Sequence, residues 1–388
     1  MNNKRVYKIA SLTTISATVR AFYRGQFEAL NEVGVETTVI CAPDSDLTCF
    51  LPDGVRLIPV GFTRVVNPLK DLAVIWCLYR LFRQEQFDLV QYATPKAALL
   101  GSLAAFAARI PVRLYLLWGL YYEGQTGLRR KILACIEWLI GRLSTHVLPN
   151  SHEMMRTLVE QKIISQSKCE VLLYGSACGI DFDEYDIEKW RPQRREVRTS
   201  LGLTDDDVLV GIFGRLTGDK GINETVKAFH QLAERIFNVY LLVIGEPEEK
   251  DKPLPETLKE IQNHPRIFKL SRQESLLPFY TALDIVCLPT YREGFPQTHL
   301  EAQAMMVPVV STDINGVREA VAPNETGLLV EPKNVEALIE SLEKLIIDKP
   351  LRRRMGYNGR IRTFQLYNQK DIIKAIVQHR LFLLEAVN

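Results

Sequence analysis

Short, wholly apolar runs recur along this chain between stretches of helical periodicity, and that alternation most limits what it can fold into. Val208–Phe213, residues 240–244 and Ile285–Leu288 are strand-length runs with almost no polar residue. Strands that are apolar on both sides of the pleat belong to parallel sheets covered by helices on both faces. The first half repeats the pattern. Strand signals at 6–11, 37–41, Leu89–Tyr92, Val112–Leu117 and His146–Pro149 alternate with helical periodicity at 20–33, 69–85, 96–108, Gly127–Leu143 and from Ser151 onward. The spacing predicts an α/β fold with parallel sheets. At 388 residues the chain is too long for one ordinary core, so two domains are expected. Residues 175–200, with a charged run and Pro192, read as the linker between a domain over 1–180 and another over 181–369.

Composition narrows the class. Hydrophobic content of 47% and charged content of 24% are those of a globular protein. Net charge is +2, but it is unevenly spread: residues 1–170 carry 20 Lys/Arg against 14 Asp/Glu, and the remainder 28 against 32. A basic first half suits an anionic surface or acceptor; scattered surface charge accounts for it equally well. The seven cysteines form no CxxC pair and read as buried free thiols in a reducing cytosol. The chain enters its first strand without a signal-peptide core, and its longest apolar run, residues 97–108, is too short to span a bilayer.

Four groups of residues carry possible chemistry. Arg215 and Lys220 follow the strand Val208–Phe213 in a loop with Gly214, Gly218 and Gly221. Glycines let a backbone approach an anion, and two cations there suit a diphosphate; solvated loop charge is the plainer alternative. Glu293 and Glu301 lie eight positions apart, the first in the loop after Ile285–Leu288 and the second in the helix that follows, with Pro296 at its first position. Carboxylates in a crevice at strand ends accept hydrogen bonds from sugar hydroxyls; a helix-start residue favoured by the macrodipole is the alternative for Glu301. The Asp-x-Asp triplets at 44–46, 181–183 and 205–207 match a metal motif equally poorly. No His/Cys cluster has zinc spacing, and GxGxxG after the first strand, the Walker loop and GxSxG are all absent. Residues 69–83, with Trp76 and Tyr79, and 127–142, with Arg129, Arg130, Lys131, Trp138 and Arg142, are basic and amphipathic. They suit either a membrane surface or ordinary packing onto a core.

Assembled in order, these residues resemble the retaining nucleotide-sugar glycosyltransferases of family 4. The Glu-x7-Glu signature stands as Glu293 to Glu301, the paired cations as Gly214-Arg215-Leu-Thr-Gly-Asp-Lys220-Gly221, and residues 308–319 and 327–332 complete the usual order. Phe22-Tyr-Arg-Gly-Gln-Phe, residues 94–101 and residues 175–181 resemble a subgroup that builds bacterial capsule, exopolysaccharide or lipid-linked oligosaccharide. The subgroup's His-Gly-Leu after the fifth strand is Trp118-Gly119-Leu120 here, and the first loop, 11–19, has hydroxyls where many members have glycines.

The resemblance implies a GT-B fold: two Rossmann-like domains whose parallel sheets face a central cleft, with a last helix, about residues 370–388, packed back on the first domain. It implies a donor site of Gly214, Arg215, Lys220, Gly245, Glu293, Gly294, Phe295, Pro296, Gln297, Thr298, His299 and Glu301. Within it Arg215 and Lys220 would stabilise the departing nucleoside diphosphate without a metal, Glu301 would bind ribose, and Glu293 would contact the donor sugar. Thr14, Ser16, Thr18, Trp118 and Gly119 would lie on the acceptor or sugar side. The expected donor is a UDP-sugar and the expected acceptor a lipid-diphosphate-linked sugar at the cytoplasmic membrane face, with no cofactor and no nucleic acid. A nucleotide-sugar isomerase of the same fold, a transferase with soluble acceptors and a non-catalytic subunit of a polysaccharide assembly complex are the alternatives.

Overall fold

A computed structural model of the chain describes residues 5–44, 46–63 and 65–387. It divides into two compact units, one formed by residues up to Cys178 together with those from Lys370 onward, the other by Gly179–Gln369. The first contains β1 (Tyr7–Leu12), β2 (Val35–Cys41), β3 (Arg56–Pro59), β4 (Leu89–Tyr92), β5 (Val112–Leu117) and β6 (His146–Pro149). The second contains β7 (Val208–Phe213), β8 (Val239–Ile244), β9 (Ile267–Leu270), β10 (Ile285–Leu288), β11 (Val309–Thr312) and β12 (Gly327–Val330). The sheet orders are β3-β2-β1-β4-β5-β6 and β12-β11-β10-β7-β8-β9, and every neighbouring pair runs parallel. The α/β, all-parallel expectation is met. Each sheet reverses its winding once, between β1 and β4 and between β7 and β10. At such a point the connecting helices leave to opposite faces and a crevice opens at the strands' carboxyl ends.

The apolar runs are buried as their composition requires. All six residues of β7 and all four of β10 are buried, and two apolar clusters pack on the faces of that sheet.

Several expectations are corrected. The pattern over 20–33 is two helices, Ser16–Phe22 and Gln26–Glu32, broken where Gly25 takes a left-handed φ of 75°. Ser16 and Thr18 therefore lie on a helix, not in a loop. The stretch 175–200 is not a bare linker, because Ile187–Ser200 is helical despite Pro192. Arg198 of that helix is buried and donates to Asp284 Oδ2 at 3.0 Å and to the carbonyls of Ala282, Thr204 and Asp207. Those bonds fasten the helix beneath the start of β10. Of the cysteines, all free, only Cys41, Cys169, Cys178 and Cys287 are buried; Cys49, Cys77 and Cys135 are exposed on helices. In the Asp-x-Asp triplets the carboxylates serve turns: Asp181 accepts from the Asp183 N–H at 3.0 Å and Asp207 from the Thr204 N–H at 2.7 Å. Asp44 binds the Ser16 hydroxyl, and Ser45 lies outside the described residues.

The last helix, Gln369–Glu385, packs in the first unit through a buried cation. Arg380 Nε donates to Gln91 Oε1 at 3.0 Å, and Gln91 Nε2 donates to Ser11 Oγ at 2.7 Å, which reaches β4 and β1. His379 accepts from Arg380 at 2.7 Å and faces Glu170 at 2.5 Å. Burial draws the Arg380 guanidinium down to about 10.

Glu137, on the helix Gly127–Leu143, also faces the core, 3% exposed, accepting from the Tyr115 hydroxyl at 2.8 Å. Burial raises its carboxyl to about 7. A folded value above the unfolded one makes stability fall as pH rises through that interval and stay low above it. Glu137→Gln keeps an acceptor for Tyr115 and is expected to stabilise the protein above pH 7 by up to about 3 kcal/mol. Denaturant titrations at pH 5 and pH 8 read the effect; an unchanged pH dependence would reject the assignment.

Candidate functional site

The loops that leave β7 and β10 meet at the winding reversal of the second sheet. Asp219 joins them. Its carbonyl accepts from the Tyr291 N–H at 2.8 Å and the Thr290 hydroxyl at 3.1 Å, and its carboxylate pairs with Arg292 at 2.9 Å. The Thr217 hydroxyl and Arg292 hold that carboxyl below its usual range despite burial, so it stays ionised. The sequence offered only a weak signal for Asp219, a polar residue between the two cations Arg215 and Lys220.

Inside this joint Lys220 and Glu293 form an ion pair, both side chains less than one-fifth exposed. A lysine from one loop and a carboxylate from the other thus neutralise each other at the carboxyl ends of adjacent strands. Glu301 sits in the second turn of the helix Gln297–Ala304, too far along for a macrodipole contact of the helix-start kind. Its Oε2 accepts from the Tyr280 hydroxyl at 2.8 Å, and burial pushes its carboxyl up.

Arg215 is not part of the cluster. It is exposed and pairs with Glu248 at 2.8 Å. Pro296 precedes the helix rather than opening it, and Phe295 is buried against the Tyr367 ring. Gln297 Nε2 donates to the Gly179 carbonyl at 2.8 Å, and Thr298 is half-buried beside the Tyr280 hydroxyl. The His299 side chain is wholly inaccessible, its Nε2 bonds Ser311 Oγ at 2.8 Å, and burial lowers it to about 3, so the imidazole is a neutral core group and the expected donor role of this position is one for its backbone.

Two glycines shape the backbone here. A Cβ on Gly245, whose φ is 146°, would lie 1.8 Å from the Gly214 carbonyl oxygen, so the loops after β7 and β8 touch only because Gly245 carries no side chain. Gly316, with φ 76°, also comes close to Gly294: a Cβ would meet its carbonyl oxygen at 2.3 Å. That second approach was not foreseen. A further unpredicted element, the helix Lys349–Tyr367, packs on Gln303 of the helix Gln297–Ala304 through Gly359 and on Met306 just beyond it through Gly356, and the three-residue spacing of these glycines on one helix face was the available signal.

In the first unit, described by itself, Thr14 lies where that sheet reverses. Its hydroxyl bonds the Thr94 hydroxyl at 2.7 Å, which joins the ends of β1 and β4. Ser16 is held by Asp44, and Thr18 is half-buried in the first helical turn. Trp118 packs on Phe22, ring centroids 4.5 Å apart, and edge-on to Tyr23; Gly119 beside it is half-buried.

Comparison with known proteins agrees with this architecture. Residues 18–175 match the model of the glycosyl transferase 4-like domain, and residues 193–362 that of glycosyl transferases group 1. A capsular polysaccharide biosynthesis glycosyltransferase, CapM, of Staphylococcus aureus is 29% identical over 94% of each chain. The Escherichia coli UDP-Gal:alpha-D-GlcNAc-diphosphoundecaprenol alpha-1,3-galactosyltransferase is 24% identical over 84% of each. The crystal structure of Anabaena HepE with UDP-glucose superposes with a TM-score of 0.78 at 19% identity, covering 96% of this chain and 99% of that one. Two Rossmann-like units of this kind make a GT-B glycosyltransferase fold. With both halves matched, the chain belongs to the family 4 glycosyltransferases.

Gly245→Ala is expected to destabilise the protein by several times the roughly 1 kcal/mol that a left-handed glycine in open space costs. Gly202, with φ 70° and no atom within 4 Å of a built Cβ, is the control. Melting temperatures compare the two alanine variants; equal losses would mean the loops do not need the contact.

Proposed function

We propose that this glycosyltransferase moves a sugar from a UDP-sugar, with retention of configuration, onto a lipid-diphosphate-linked saccharide during surface polysaccharide assembly. The Lys220–Glu293 pair beside Glu301 carries the reading. An arriving nucleotide-sugar supplies an anion for Lys220 and hydroxyls for Glu293, so one ligand satisfies both members of the pair. Lys220 then stabilises the charge that develops on the departing diphosphate, a task that electrostatics performs without a metal. Arg215, on the same loop, leaves Glu248 to add a second cation with two oxygens' reach. Glu301, steadied by Tyr280, accepts from the ribose, and Glu293 faces the sugar's positive charge in the transition state. Thr14, Thr18, Trp118 and Gly119 of the first unit take the acceptor side, Ser16 joining them once it leaves Asp44. The names of the Staphylococcus aureus and Escherichia coli relatives support the polysaccharide and lipid-linked parts of this reading.

The same reading places the enzyme on the cytoplasmic face of the membrane, as a peripheral protein. Among the described residues no helix is long and apolar enough to cross a bilayer. The helix Pro68–Glu85 buries Val74, Leu78 and Phe82 but leaves Leu69, Leu72 and Trp76 in solvent. Gly127–Leu143 likewise exposes Leu128, Ile132 and Trp138 alongside Arg129, Arg130 and Lys131. Apolar side chains among basic ones suit an anionic bilayer surface.

Lys220→Ala is expected to lower turnover by at least about a hundredfold with the fold intact; unchanged rates would remove the diphosphate role. Glu301→Ala should weaken UDP binding in calorimetry, and equal affinity would reject ribose contact. Replacing Arg129, Arg130 and Lys131 with glutamine should release the protein from anionic vesicles in flotation. Retention on the vesicles would reject the membrane assignment.

A further inference from the structure

The fold assembles a cluster that the linear order of the histidines hides. His230 lies on the helix Ile222–Arg235; Glu260 lies on the helix Pro255–Asn263, and His264 is its C-cap. The four-residue step from Glu260 to His264 puts both on one face, toward His230. One ligand-capable atom from each of the three lies within 4.8 Å of the other two. His230 Nδ1 and Glu260 Oε1 are 2.6 Å apart, and Glu234 stands 3.6 Å from His230 Nε2 as a further carboxylate.

We propose that His230, Glu260 and His264 bind one zinc ion, with water as the fourth ligand, and that the ion clips the two helices together. Two imidazoles and a carboxylate are a donor set that zinc takes in tetrahedral geometry. Bond lengths near 2.0 Å place tetrahedral ligand atoms about 3.3 Å apart, which small side-chain rotations reach from 4.8 Å. Mixed nitrogen and oxygen donors select against magnesium, which prefers an all-oxygen octahedron. His264 is half-buried with its ring edge-on to Phe229, centroids 5.4 Å apart, which orients the imidazole. Its Nδ1 accepts from the Arg266 N–H at 3.1 Å. Ligation through Nε2 moves the ring proton to Nδ1 and turns that N–H to solvent. The Arg266 guanidinium is taken up by the carbonyls of Ala233, Ile236 and Phe237.

The site is separate from the sugar-transfer chemistry. His230 lies eight residues beyond the start of its helix, about 12 Å along the axis from the Lys220 loop. The clip would nevertheless steady the helix that this loop feeds.

Zinc chloride titrated by calorimetry into tag-free, chelator-stripped full-length protein tests the proposal. One equivalent should bind, with magnesium showing no heat. His230→Ala and His264→Ala should each weaken zinc at least tenfold, whereas His152→Ala, at an exposed histidine elsewhere, should not. Zinc should raise the melting temperature of the parent but not of the His230→Ala, His264→Ala double variant, whose melting in chelator should match the parent's. Absence of binding below millimolar zinc, equal affinity in the double variant, or loss of affinity in His152→Ala would overturn it.

Discussion

The ion pair between Lys220 and Glu293 is the interaction that holds together the crevice at the strand ends of the second unit. Neither group is at the surface and neither is deep in the core, so each has shed part of its hydration and depends on the other. Removing one partner from such a pair costs more than the pair contributes, because the remaining charge is left partly desolvated. A ligand that supplies both an anion and hydroxyls can open it without that penalty. On the proposed reading, the pair suits a nucleotide-sugar because its two charges neutralise each other until such a ligand replaces both contacts.

Topology supplies the geometry. The two members come from loops after β7 and β10, strands that are neighbours in the sheet and 75 residues apart in register, Val210 against Ile285. Only the winding reversal puts those two loops side by side. Asp219 then locks them, through its carbonyl and its carboxylate at once, and Gly245 and Gly316 allow the flanking backbones to close in. Further down, Arg198 and Asp284 anchor the start of β10 from a helix outside the sheet, so the strand that presents Glu293 is fixed at its entry as well.

Much of this was legible in the residues. Runs such as Val208–Phe213 and Ile285–Leu288 can only be buried strands, and β7 and β10 follow those bounds. The positions of Lys220, Glu293 and Glu301 followed from motif order. Their contacts did not. That Arg215 points to Glu248, that His299 faces inward to Ser311, and that Glu301 rests on Tyr280 are matters of side-chain direction, which spacing does not encode. The helix Ile187–Ser200 was hidden by its charge and by Pro192, because its apolar face is thin, Ile187, Trp190 and Val197, and is supplemented by the buried Arg198. The helix Lys349–Tyr367 was hidden by its arginines and glycines, which serve close packing. His230 and Glu260 are 30 residues apart, and nothing in their order announces that two helices bring them together.

If the pair is a self-neutralised donor site, taking away its negative member should leave Lys220 unopposed for phosphate. Calorimetric titration of UDP into Glu293→Gln and into the parent protein measures this directly. The account predicts tighter UDP binding in the variant, together with loss of sugar transfer. UDP affinity that is unchanged or weaker in Glu293→Gln would contradict it.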